Sequence, residues 1–409
     1  MEYTELYQML KDKVTYTDDF TAIDSLTYLY NFDFNSHSCS ILPGEKSYEC
    51  IQHNFREDSP YDFESEIAAQ NKALNILDAH IKENSFFRYH VFHPAHKKQS
   101  KQVILMFHGF NEKYWAKYLP WAKYLSERTG KTVVLFPIAF HMNRAPHEWS
   151  DRRKMFPMSE QRRVVFPQVM QSTLSNVAIS SRLHARPQRF FWSGLQTYYD
   201  IIQLITTIRA GMHPLISSDA TFDIFAYSIG ALLAEIIMMT NQNGYFENSK
   251  MCLFCGGPVF NRLSPVSKFI LDSEANVALY SFVVEHLDSH LKKDKHLNHY
   301  LGEDHPEGIY FRSMLNYGKN LQFREKAFQR ISKQTIAITL ANDTVVPPYE
   351  VINTLQGITR NIPVRVEILD FSYDYKHEDP FPALKSIAPQ VTFHFREVFD
   401  IASDFLMCD

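Results

Sequence analysis

The stretch FDIFAYSIGALLAE, residues 222–235, decides the fold of this chain. Its first six residues, Phe222 to Tyr227, form a short apolar run of the kind a buried strand needs. After Ser228 the composition switches to ALLAEIIMM, a strong helix former. The residues two before and two after the serine, Ala226 and Gly230, are both small. A sharp strand-to-helix turn crowds these two positions together, and larger side chains would collide across it. The same turn aims Ser228 at the N-terminal end of the following helix, where unpaired backbone N–H groups can hold a negative oxygen. The stretch reads as a nucleophile elbow.

Working outward, strands and helices alternate from Ser85 onward. Phe86–Pro94 and Gln102–Phe110 read as strands joined by a basic, polar turn, which suggests a hairpin. Trp115–Gly130 has apolar residues at helical spacing and ends on a glycine. Lys131–Phe140 is the next buried strand, and this strand–helix–strand order implies a parallel crossover. A helix over Gly194–Gly211 precedes the elbow, and MCLFC follows it as a further strand. Thr335–Asp343 and Val364–Phe371 are the last strands, with a closing helix over Gln390–Leu406. Two long segments interrupt this core, at about 141–192 and 261–332, and read as helical cap insertions. Residues 1–85 read as an extension packed on the core, with an amphipathic first helix and a second near Phe63 to Glu83. The expected organisation is thus 1–85 as extension and 86–409 as one α/β domain carrying the caps.

Composition narrows the function classes. Hydrophobic residues make up 45% and charged residues 22% of the 409 positions, as in an ordinary soluble globular protein. A net charge of -4 gives no reason to expect a nucleic-acid partner. No apolar run approaches the ~20 residues that span a bilayer, and the N-terminus lacks the apolar core of a signal peptide. The five cysteines are scattered and odd in number, which argues for a reducing, cytoplasmic setting. Cys252 and Cys255 form a C-x-x-C without a second ligand pair nearby, so buried structural thiols are expected. The first insertion is rich in arginine, from Arg144 to Arg189. A solvated face paired with acidic residues is favoured there over contacts to an anionic substrate. His286, His290, His296 and His299 lie on charged helical sequence without an H-E-x-x-H, and a solvated helix face is expected. No phosphate-binding glycine loop occurs. No cofactor and no metal are expected.

A serine nucleophile needs a base to take its proton, and the base needs a partner to hold its tautomer. Two later loops offer these groups. Asp343 ends a strand in ANDTVVPP, and His377 follows the last strand in YKHEDPFP. Both emerge at the strand ends where parallel sheets place their sites. Asp370 and Asp374 are rival acids, and His394 is a rival base, although it falls within the closing helix.

The order Ser…Asp…His on alternating strands and helices resembles the α/β-hydrolase superfamily. The resemblance covers Phe86 to the C-terminus and rests on A-Y-S-I-G at Ser228, N-D-T-V-V-P at Asp343, H-E-D-P-F at His377 and H-G-F at His108–Phe110. The first of these departs from G-x-S-x-G by having Ala226. The resemblance implies Ser228 as nucleophile, His377 as general base and acid, and Asp343 as its orienting partner. It implies the backbone N–H groups of Phe110 and Ile229 as an oxyanion hole, with His108 supporting its loop. The implied reaction is hydrolysis of a small-molecule ester or related acyl compound. A binding or scaffold protein with the same residues assembled but idle is the competing expectation. Nothing in the sequence sets the oligomeric state.

Overall fold

Alternation along each strand sets which face of the sheet a side chain enters. In the strand Ser100–Phe107, Val103, Leu105 and Phe107 join one hydrophobic cluster, whereas Ile104 and Met106 join a second on the opposite face. Ile216–Tyr227 divides in the same way, with Ile224 and Ala226 on the first face and Phe225 and Tyr227 on the other. Both faces are therefore buried, as parallel strands require. The computed structural model describes residues 1–59, 74 and 76–408.

The strands, in chain order, are β1 (Phe20–Ala22), β2 (Thr27–Asn35), β3 (Ser47–Cys50), β4 (Phe55–Asp58), β5 (Phe86–Pro94), β6 (Ser100–Phe107), β7 (Thr132–Leu135), β8 (Ile216–Tyr227), β9 (Met251–Phe254), β10 (Thr335–Leu340) and β11 (Arg365–Leu369). Nine form one sheet in the order β1-β2-β5-β7-β6-β8-β9-β10-β11. From β7 to β11 every pairing is parallel, while β1, β2 and β5 add an antiparallel edge. The strand order reverses at β6: the chain places β7 on one side of it and then crosses to β8 on the other. Such a reversal opens a crevice at the C-terminal strand ends. With helices on both faces and a sharp turn after β8, this is the α/β-hydrolase fold.

The expected hairpin of β5 with β6 does not form. β7 lies between them, antiparallel to β5 and parallel to β6. Skipping one strand means crossing about 10 Å of sheet, which the residues between β5 and β6 span at about 3.3 Å each. A short polar connection therefore does not distinguish adjacent strands from strands one place apart. The N-terminal segment supplies two strands to the central sheet, through the nine-residue register of β2 with β5. It also carries the separate β3–β4 hairpin. Its first helix, Tyr3–Lys13, packs on the second core face through Tyr3 and Leu10. Most of the helix expected near Phe63 to Glu83 lies outside the described residues.

The two insertions meet over the C-terminal strand ends. In the first, helices Arg152–Val165 and Val177–Ala185 are joined to helix Ser273–Tyr280 of the second. Arg162 donates from Nη2 to Asp272 Oδ1 at 2.9 Å, and the same oxygen caps helix Ser273–Tyr280 by accepting from the Ala275 N–H at 2.9 Å. The arginines of the first insertion do pair with acids, but Arg144, Arg162 and Arg182 are buried rather than solvated. Arg144 meets Asp200, and Arg182 and Arg189 share Asp78. No helix among the described residues is long and apolar enough to cross a membrane.

Candidate active site

Ser228 follows β8 with φ 56° and ψ −124°, and the helix Ile229–Thr240 begins at the next residue. A positive φ is strained for a serine, so the surrounding contacts must hold it. Its N–H donates to the Phe254 carbonyl of β9 at 3.1 Å, and its carbonyl accepts from the Ala231 N–H at 2.9 Å. Gly230 lets the turn press against β6: a Cβ there would stand 2.8 Å from the His108 carbonyl oxygen and 2.9 Å from Phe107 Cβ. Gly256 does the same on the β9 side, where a Cβ would lie 2.3 Å from Ala231 Cβ and 2.8 Å from the Ser228 oxygen. The elbow is wedged between its two neighbouring strands. Gly230 was legible from the sequence, and Gly256 was not, because its role exists only once β9 lies beside β8.

The Ser228 Oγ lies 2.7 Å from His377 Nε2, and His377 Nδ1 lies 2.7 Å from Asp343 Oδ2. The other Asp343 oxygen accepts from the N–H groups of Val345 and Val346, both at 2.9 Å. Asp343 is thus an acceptor on all sides, which leaves the His377 Nδ1 to carry the proton and its Nε2 lone pair facing the serine. Both side chains are buried. The rivals lie elsewhere. Asp370, exposed, accepts from Asn342 at 2.9 Å and from the Tyr375 hydroxyl at 3.2 Å. Asp374 is exposed, and His394 is engaged by Glu397 at 2.8 Å within the closing helix.

Several residues that sequence reasoning passed over hold the His377 loop. The Tyr227 hydroxyl donates to the His377 carbonyl, and its ring stacks on the imidazole with centroids 5.5 Å apart. Lys117 donates to the Glu378 carbonyl at 2.9 Å, lies 4.7 Å from the Tyr227 ring centre and pairs with Glu112. The Tyr118 hydroxyl joins this group, donating to Glu112 at 3.0 Å and accepting from the Gly109 N–H at 2.9 Å. Their spacing near H-G-F, as HGFNEKYWAKY, was the only available signal. The Cys255 thiol sits against Asp343; burial first, and then the carboxylate, push its pKa well up. Cys252 and Cys255 are both unpaired and buried, as expected.

His108 donates from Nδ1 to the Gly109 carbonyl at 2.7 Å and accepts at Nε2 from the Ile138 N–H at 2.9 Å. Burial, followed by the neighbouring His141, holds it far below the usual imidazole range, so it is neutral. It braces the loop that presents Phe110. The N–H groups of Phe110 and Ile229 have no acceptor among the described residues. Asn111 ties the same loop to both insertions, donating to the carbonyls of Ser175 at 3.0 Å and Phe269 at 2.6 Å.

Ser228, Ile229 and Phe110 line an apolar cavity with Phe260, Leu271 and Val346. A second cavity, of about 70 Å³, shares Phe110, Ile229 and Phe190 with it. Arg182 and Arg189 reach this second wall, but Asp78 already takes both guanidinium groups. An anionic substrate group would have to compete with that buried carboxylate.

The model described as "Family of unknown function (DUF6051)" matches residues 1–407, and the chain belongs to that family. No curated protein matches the sequence. Solved structures that resemble it include a thermostable esterase from Pseudomonas putida ECU1011, at 12% identity over 79% of this chain and 80% of that one, with a TM-score of 0.40. Carboxyl esterase 2 from the mycorrhizal fungus Tuber melanosporum is similar at 12% identity over 78% and 81% of the two chains, with a TM-score of 0.37. Vibralactone cyclase is similar at 9% identity over 98% and 84%, with a TM-score of 0.43.

Proposed function

We propose that this member of the DUF6051 family is a serine hydrolase that cleaves a carboxylic ester through an acyl-serine intermediate. One observation carries the reading. A serine at positive φ lies 2.7 Å from an imidazole whose other nitrogen lies 2.7 Å from a buried carboxylate. His377 takes the Ser228 proton as Oγ attacks the substrate carbonyl, and then returns it to the leaving alkoxide. Water repeats the sequence to release the acid. Asp343 keeps the proton on Nδ1 and stabilises the imidazolium. The free N–H groups of Phe110 and Ile229 are the donors for the tetrahedral oxyanion; one such donor is worth about 3 kcal/mol to the transition state. The apolar cavity beside Ser228 supports an apolar acyl group on a small-molecule substrate. The unpaired cysteines support a reducing, cytoplasmic setting.

A fluorophosphonate probe tests the reading. The wild-type protein is expected to be labelled covalently and Ser228→Ala to remain unlabelled, both with intact folds by circular dichroism. A folded wild-type protein that neither labels nor hydrolyses p-nitrophenyl esters would mean that the assembled residues are idle.

A further inference from the structure

The structure assigns a metal site to Cys50, His53, His299 and His305, binding Zn²⁺ or a similar divalent cation and clasping the N-terminal hairpin to the second insertion. Their donor atoms all lie within 4.8 Å of one another. His305 Nε2 is 3.2 Å from His53 Nδ1, 3.1 Å from His299 Nε2 and 3.7 Å from Cys50 Sγ, which is in turn 3.6 Å from His53 Nδ1. Tetrahedral zinc, with bonds of about 2.0–2.1 Å to nitrogen and about 2.3 Å to sulfur, sets edges of about 3.4 Å between nitrogens and about 3.6 Å between nitrogen and sulfur. Four of the six separations already stand close to those edges, and the two from His299 to His53 and Cys50 lie within 4.8 Å.

His305 Nδ1 lies 2.9 Å from Glu307, and His299 Nδ1 lies 3.2 Å from Asp304. Each carboxylate favours a ring proton on Nδ1, and with both rings neutral two Nε2 lone pairs face each other at 3.1 Å. A cation between them turns this repulsion into ligation. Carboxylates behind ligating imidazoles are the usual outer partners of zinc, and here they also offset its charge. Glu307 is itself fixed by the Tyr199 hydroxyl. The Phe55 ring stacks on His299 at 4.1 Å and holds it in place.

The ligands come in two local pairs. Cys50 and His53 form a C-x-x-H across the turn between β3 and β4. His299 lies in the last turn of one short helix, Lys295–Leu301, and His305 precedes the next. With four protein ligands the site is closed, so its role is structural. None of the four lines the cavities near Ser228. The proposal departs from the sequence reading of no metal, and burial corrects the expected solvated face at two of its histidines. His286 is exposed, but His296 and His299 are buried, and His296 lies between the Tyr48 and Trp192 rings.

The test needs no substrate, so its result is independent of the hydrolase reading. Protein purified under reducing conditions from zinc-supplied cells is analysed by plasma mass spectrometry, stripped with a chelator and reloaded with Co²⁺. The expected content is about one zinc per chain. Cobalt should show the intense visible bands of tetrahedral coordination and a sulfur-to-metal charge-transfer band. Cys50→Ser should abolish that band, and His53→Gln should weaken affinity by at least about tenfold. Wild-type protein that takes up neither metal, or a charge-transfer band that survives Cys50→Ser, overturns the site. Where a variant fails to fold, the stripped wild-type protein decides: added zinc should raise its Tm, and an unchanged Tm overturns the site.

Discussion

Replacing Asp343 with asparagine separates its chemical contribution from its structural one. The carboxylate makes three hydrogen bonds. Oδ1 accepts from the N–H groups of Val345 and Val346, and Oδ2 accepts from His377 Nδ1. In Asp343→Asn the amide oxygen still serves both backbone donors, so the turn ahead of helix Pro348–Leu355 keeps both bonds. The amide NH₂ then faces Nδ1. It can only donate, which turns Nδ1 into an acceptor and moves the ring proton to Nε2, opposite Ser228. The imidazole then has no lone pair with which to take the serine proton. In this arrangement the change costs about 10⁴ in kcat, or about 5 kcal/mol of transition-state stabilisation. Asp343→Ala should act differently: it strands two buried N–H donors and lowers stability by about 1–3 kcal/mol as well. The assay is hydrolysis of p-nitrophenyl butyrate with fluorophosphonate labelling rates, alongside thermal melts. Activity within about tenfold of wild type in a folded Asp343→Asn protein would show that this acid does not set the tautomer. A comparable loss in Asp370→Asn would redirect the assignment to the rival acid.

Stability should fall as pH drops below 6.5. Burial lowers the pKa of His90 to about 3 and of His141 and His213 to about 4, from an ordinary 6.5. Between 6.5 and about 4 the unfolded chain binds protons at these sites and the folded chain does not, so each contributes up to about 1.4 kcal/mol of destabilisation per pH unit. Urea midpoints at pH 7, 6 and 5 should decline together, and midpoints that stay flat would refute the buried neutral imidazoles. Glu235, in the helix after the elbow, is fully buried with no hydrogen-bond partner for either oxygen among the described residues, and burial pushes its pKa well above 4.5 against the opposing pull of Arg324. A raised folded pKa means that its cost grows as pH rises past 4.5. Glu235→Met should therefore stabilise the protein at pH 7 by about 1–3 kcal/mol, and the gain should shrink toward pH 4.5. Urea melts of both proteins at the two pH values check the sign.

Features written into short stretches of chain were readable in advance. Ser228, Asp343 and His377 each follow a strand, and the strand end itself places them at one sheet edge. The glycine after Thr129 ends its helix at φ 67° because no side chain opposes that conformation. Features that depend on which segments become neighbours were not readable. The β5–β6 connection fits either of two strand orders. The alternation in TYLYNFDFN, half-buried along β2, is the signal of an antiparallel strand. The arginines of the first insertion look like surface charge because their acids lie far away in sequence: Asp200 for Arg144, Asp272 for Arg162 and Asp78 for Arg182. Glu112, Lys117 and Tyr118 support the His377 loop from more than 250 residues upstream, as does Cys50 in joining His305.

The helix Arg189–Arg209 links the two sites in one physical element. Its first turn supplies Phe190 to both cavities beside Ser228. One residue on, Phe191 packs edge-on against Phe311 at 5.0 Å, and Trp192 stacks on His296 at 4.4 Å. Further along, Tyr199 bonds Glu307, which orients His305. Ser228, His377 and Asp343 sit at the edge of a sheet whose two core clusters contain no residue of the β3–β4 hairpin. The clasp therefore bears on the wall that an acyl chain would meet, and not on the Ser228–His377–Asp343 distances. In this design the sheet edge sets the chemistry. On the proposed reading, the fit of the substrate is set by a helix held at one end by packing over the elbow and further along by Tyr199, whose partner Glu307 orients His305.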